Sequence, residues 1–213
     1  MYKELLTNKF FSDNPYMENS VQRFIYSTLL YEGLEDMADE IVIKQGLFSD
    51  ERLDHITHEK EMIQAEQNSE MILQLLRKKT EMVNRGVLVK KALQIEEVIL
   101  PMVVEKLIRS CHDIFIENSI DILAKSNKDF TPVLKERFTQ IRSPYAQSLI
   151  CLVLGFRGEE GVIPWMRDRY FEMKKLYPDE TYNQGPLLAL HELNCRFYKK
   201  KKALSHKLKY NNL

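Results

Sequence analysis

Ser143 to Met166 reads SPYAQSLICLVLGFRGEEGVIPWM, and this stretch decides the fold. Ser143 suits an N-cap, because its hydroxyl can accept from an otherwise unpaired N–H, and Pro144 suits the first helical position, where a missing N–H costs nothing. Tyr145, Ala146, Leu149, Ile150, Leu152, Val153 and Leu154 then form an apolar face too broad for a helix packed on one side only. Gly155 and Gly158 suit a helix exit with positive φ. Glu159 and Glu160 favour the positive end of the next helix dipole, and Pro164 falls in that helix's first turn. The stretch is therefore helix, glycine corner, helix.

The same pattern recurs. Ile99 to Leu107 reads ILPMVVEKL, Phe130 to Phe138 reads FTPVLKERF, and Val162 to Tyr170 reads VIPWMRDRY. Pro101, Pro132 and Pro164 stand 31 and then 32 residues apart. Each is followed by two apolar residues, then by an acid, a base and an apolar residue at fixed offset. Between them lie second helices, with Phe115, Ile116, Ile120 and Ile122 matching Tyr145, Ala146, Ile150 and Leu152. A period in this range marks a solenoid of helix pairs. The pairs predicted are 88–109 with 113–125, 130–141 with 144–155, and 160–176 with 182–198. The first helix admits a split before Pro101.

On these residues the chain resembles the HEAT-repeat family, including its short bacterial HEAT-like variants, over roughly residues 87–198. The turn, the alanine-bearing apolar helix, the Leu-Gly corner and the Ile-Pro helix start carry the likeness. The resemblance implies an all-α protein built as a right-handed α-α superhelix, a HEAT-like solenoid of about three helix pairs. It also implies a protein-binding scaffold, with no shared catalytic residues to carry over.

Composition agrees with the fold class. The chain has 213 residues, 44% hydrophobic and 29% charged, enough to bury a core and unlike a disordered segment. Few alternating β-branched runs occur, so sheet is not expected. No apolar run of about 18 residues marks a membrane span, and the N-terminus lacks a secretory signal core. Cys111, Cys151 and Cys195 share no metal-ligand spacing and read as buried free thiols, which predicts a cytoplasmic protein. Net charge is zero but unevenly spread: residues 1–86 hold 16 acidic and 10 basic side chains, residues 87–198 hold 15 of each, and residues 199–213 hold six basic and no acidic.

Three regions follow. Residues 1–86 form an N-terminal helical cap or partner-binding region, with helices expected over 2–10, after Asn14-Pro15, and over 34–44. Within it, residues 50–85 are one long polar helix or two, the break then falling near Asn68-Ser69 with Ser69 as cap. Residues 87–198 hold the repeats, with Gly86 as punctuation ahead of them. Residues 199–213 form a basic tail.

Candidate chemistry is sparse. His55 and His58 stand one helical turn apart, but His-x-x-His-Glu is neither a zincin motif nor its inverse, and no metal site is assigned. No cofactor is called for. The concave face of a helical solenoid usually binds, and the outward positions of the second helices are Glu117, Asn118, Asp121, Gln147, Ser148, His191, Glu192 and Asn194. Their acidic-to-polar character points to a polar or basic segment of another protein, and the reading is a non-catalytic adaptor. The alternative is a nucleic-acid binder or enzyme like the HEAT-like alkylpurine DNA glycosylases, with Trp165 stacking on a base and Asp168 stabilising charge on the sugar. Trp165 occupies the position of Met102 and Val133, which makes it core. Lys199, Lys200, Lys201 and Lys202 could touch nucleic acid or an anionic surface, although overall neutrality argues against a dedicated phosphate binder.

Overall fold

The computed structural model describes residues 49–210, within which the side chains of Met82, Val83 and residues 199–210 are not described. The helices expected before residue 49 lie outside the described residues. Those described are helical without a strand, in two compact units, one ending at Ile95 and the other beginning at Glu96. No helix among them is long and apolar enough to cross a membrane.

The first unit holds α1 (Asp50–Ala65), α2 (Ser69–Leu75) and α3 (Met82–Gln94). The polar segment is thus two helices. The cap of α2 is Asn68, one residue before the serine expected, because its side chain accepts from the N–H groups of Glu70 and Met71. Gly86 lies inside α3 and is buried, so it is not punctuation. α1 and α3 run parallel, side by side. Arg52 pairs with Glu81 at 3.0 Å near their N-terminal ends, and buried Asn84 donates to the Ile56 carbonyl at 2.9 Å and to Glu59 at 2.8 Å. Lys91 reaches the Gln64 carbonyl at 2.7 Å further along.

The second unit holds α4 (Glu96–Arg109), α5 (Asp113–Lys125), α6 (Thr131–Glu136), α7 (Pro144–Arg157), α8 (Ile163–Leu176) and α9 (Gln184–Tyr210). Short 3-10 turns at Phe138–Gln140 and Glu160–Val162 extend α6 and precede α8. The helix expected over 88–109 is α3 plus α4, meeting at Ile95, ahead of the split foreseen at Pro101. Pro132 and Pro164 are each the second residue of a helix, as the repeat pattern requires. Pro101 is not: it lies inside α4 and is exposed. The intrahelical bond it lacks leaves the Glu97 carbonyl to water, which is tolerable on an open face and costly on a buried one.

Six residues of α4 are buried: Ile99, Leu100, Val103, Val104, Leu107 and Ile108. Phe115, Ile116 and Ile122 of α5, and Ala146, Ile150 and Leu154 of α7, are fully covered. Each large aliphatic or aromatic side chain removed from water contributes about 1.5–3 kcal/mol before entropy is counted. α5 packs on α4 and α7, α7 on α5, α6 and α9, and α9 on α7 and α8. The breadth of the α7 apolar face has its cause in these three neighbours. Its most extensive contact is with α9.

Glycine corrects one expectation. Gly155 is inside α7 rather than at its exit, and Gly158 caps that helix at φ −68°, so neither serves a left-handed turn. A Cβ at Gly158 would stand 2.3 Å from the Leu154 carbonyl oxygen, and one at Gly185 of α9 would stand 2.0 Å from the Ser148 carbonyl oxygen. These glycines permit close approach. α9 runs on to Tyr210, so residues 199–210 continue a helix instead of forming a separate tail.

Candidate interaction surface

The surface is built on α5, α7 and α9, which are successive neighbours. Each begins where the sequence supplies a start. His112 accepts from the Phe115 N–H at the head of α5, Ser143 accepts from the Ala146 N–H at the head of α7, and Pro186 lies in the first turn of α9. Two arginines tie the far ends together. Arg157, closing α7, donates to the carbonyls of Ala124, Ser126 and Lys128 at the end of α5. Arg196 on α9 donates to the carbonyls of Gly155, Phe156 and Gly158 at the end of α7. Each guanidinium thus satisfies carbonyls that the preceding helix leaves without an intrahelical partner. Neither arginine was assigned a role from the sequence. Arg157, the last residue of α7, reads as simple dipole complementation, and Arg196, in the middle of α9, carries no local signal.

An open line runs down α7. Tyr145, Leu149 and Leu152 are half-buried and Phe156 is 58% exposed, and at spacings of four, three and four they share one side of the helix. α5 flanks this line with Glu117 and Asp121, both half-buried and one turn apart. The Tyr145 hydroxyl donates to Glu117 at 3.1 Å, which fixes the two helices' faces against each other. On α9, Gly185, Ala189 and Arg196 face α7. Half-buried Glu192 stands one turn from Ala189 and from Arg196 on the same side, and Leu188, 54% exposed, one turn before Glu192. The outcome is an apolar strip with carboxylates along both margins.

Of the residues projected outward from the sequence, Glu117, Asp121 and Glu192 border this strip. Asn118 and Ser148 do not, being 1% and 7% exposed. Asn118 falls on the same stripe as Phe115 and Ile122, and the Ser148 hydroxyl accepts from the Gly185 N–H at 3.2 Å beneath the first turn of α9. Gln147 is turned the other way, donating to the Ile141 carbonyl at 2.9 Å. His191 and Asn194 are exposed but lie on the side of α9 remote from its α7 contacts. The His191 Nε2 stands 3.7 Å from the Cys195 sulfur. Tyr145, Leu149, Leu152, Phe156 and Leu188 were missed because an apolar residue on a helix reads as core until its neighbours are known.

Trp165 is half-buried, packing edge-to-face on Phe138 with ring centroids 4.9 Å apart. The Arg169 guanidinium covers both rings, 5.6 Å from the Trp165 centroid and 5.9 Å from that of Phe138. Arg169 also pairs with Glu172. Asp168 is exposed and pairs with Arg167 at 3.4 Å. The tryptophan is thus occupied by protein on one face, and the aspartate points into solvent beside a cation.

Cys151 is buried, Cys195 half-buried and Cys111 exposed, so the reading of three buried thiols holds for one. Burial pushes the Cys151 thiol well above its usual range. His55 and His58 are both exposed on α1, and no three His, Cys, Asp or Glu side chains cluster for a metal among the described residues. The side chains of Lys199 to Lys202 lie outside those described. No protein-family model matches the chain, and no curated protein or solved structure proves similar to it.

Proposed function

We propose that this chain is a non-catalytic helical-repeat adaptor that binds a basic, amphipathic segment of another protein on the strip between α5, α7 and α9. The reading takes α4–α5, α6–α7 and α8–α9 as three helix pairs of a short right-handed α-α superhelix. It is supported by the two proline-started first helices, by the succession α5, α7, α9, and by the arginine that links each second helix to the one before. The single observation that carries the functional reading is the partly open apolar line of α7 edged by Glu117, Asp121 and Glu192. Apolar anchors supply contact area and the carboxylates supply orientation and rate of encounter.

A tagged pull-down from native lysate, with and without nuclease, tests it. A stoichiometric protein that survives nuclease and is lost with Glu117→Lys/Asp121→Lys supports the adaptor. Nuclease-sensitive nucleic acid without a protein partner sinks it. The glycosylase alternative gains nothing from the surroundings of Trp165 and Asp168, since Phe138 and Arg169 already engage the tryptophan ring and the carboxylate pairs with Arg167 in solvent.

A further inference from the structure

His191 and Cys195 stand one turn apart on α9, and the His191 Nε2 lies 3.7 Å from the Cys195 sulfur, within hydrogen-bond reach for a thiol. His191 is exposed and Cys195 half-buried, so the pair lies at the surface. An imidazole with its hydrogen on Nδ1 offers the Nε2 lone pair to the S–H. The thiolate is the nucleophilic form of cysteine, and a base held against the sulfur supplies that form at the moment of attack.

The other two cysteines lack this arrangement. Cys151 is fully covered, and burial raises its thiol well above the usual range. Cys111 is exposed and has a histidine beside it in the chain, but the His112 Nδ1 accepts from the Phe115 N–H at 3.4 Å. An imidazole that accepts at Nδ1 carries its hydrogen on Nε2 and has no second lone pair for a thiol proton. Among the described residues, surface position and a disposable base therefore come together at Cys195.

We infer that Cys195 is a modification site that takes a small thiol as a mixed disulfide, with His191 as its base. The reaction partner is a low-molecular-weight disulfide. The Cys195 sulfur attacks one of its two sulfurs, so that a new S–S bond forms as the old one breaks. The Cys195 proton passes to the His191 Nε2 and from there to the departing thiolate, which leaves as a free thiol. The Cys195 sulfur is oxidised and the small disulfide is reduced, so the exchange needs no further oxidant.

The test exposes the full chain to oxidised glutathione in the presence of a chelator and follows the adduct at each cysteine by mass spectrometry. Cys195 is expected to be labelled first, ahead of the more exposed Cys111, with Cys151 unlabelled while the protein stays folded. His191→Ala is expected to slow labelling of Cys195 about tenfold, less than general-base catalysis reaches in an enclosed active site. The rate at Cys111 and the melting temperature are expected to stay unchanged. Free imidazole is expected to restore much of the lost rate in this variant, which a merely structural role for His191 would not allow. Labelling of Cys111 as fast as Cys195 overturns the inference. So does an unchanged Cys195 rate in His191→Ala, or an equal slowing at Cys111.

Discussion

Gly155 of α7 and Ala189 of α9 meet so closely that a Cβ built on the glycine would stand 2.6 Å from the Ala189 Cα and 2.7 Å from its Cβ. Backbone cannot rotate away as a long side chain can, so a methyl group there must push the helices apart. Gly155→Ala is expected to destabilise the protein by about 1–3 kcal/mol, as overpacking of a tight core does. Urea unfolding measures it. Gly161→Ala is the control, since a Cβ there meets nothing within 4 Å.

The arginine links make a second prediction. Arg157→Met keeps most of the aliphatic stem and removes the hydrogen bonds to three carbonyls at the end of α5. The loss is expected to be about 1.5–3 kcal/mol, the scale of hydrogen bonds to a charged group. Arg196→Met is expected to behave alike at the end of α7. Amide exchange of the last turn of α5, and of α7 respectively, should accelerate more than that of α4. Uniform acceleration would show that the arginines act on global stability alone.

Trp165 offers an optical readout. Phe138→Ala removes its edge-to-face partner and opens a gap under Arg169. The Trp165 emission is expected to shift to the red, with stability lowered by about 3–5 kcal/mol because Phe138 is itself buried. Asp168→Asn, changing a solvent-facing carboxylate, is expected to leave stability within about 0.5 kcal/mol of the parent. A large loss at Asp168 would contradict the surroundings described for it.

Acid sensitivity follows from two carboxylates. The Ser126 hydroxyl, with the Asn127 N–H, holds Glu96 below its ordinary value of 4.5. The Arg137 guanidinium holds Glu105 below the same value, with one contact at 3.3 Å and a shorter one beside it. A folded-state value lower than the unfolded one stabilises above the ordinary range and is lost as pH falls through the lowered value. The melting temperature is therefore expected to fall on acidification from about pH 5 to about pH 3, more steeply than in Glu96→Gln/Glu105→Gln. Equal slopes would refute the assignment.

Much of the helical pattern was legible in the residues. Pro144 after Ser143, Pro132 after Thr131 and Pro164 after Ile163 mark starts that local sterics alone enforce, and α5 has the bounds its apolar spacing gave. Pro101 misled because the motif around it matches the others while the acids Glu96 and Glu97 start the helix earlier. Of the bases that the motif aligns, Arg137 pairs with Glu105, whereas Arg169 lies over Phe138 and Trp165.

The sequence by itself determined that the described chain is helical, where most helices start, and which broad faces are apolar, because capping, proline geometry and helical periodicity act within a few residues. The tertiary structure alone decided which polar positions are buried, that Gly155 and Gly185 serve close contact between helices, and that Arg157 and Arg196 tie successive helices. Those outcomes depend on residues about 30–40 positions apart meeting in space, and a side chain's exposure is a property of its neighbours as much as of its own helix.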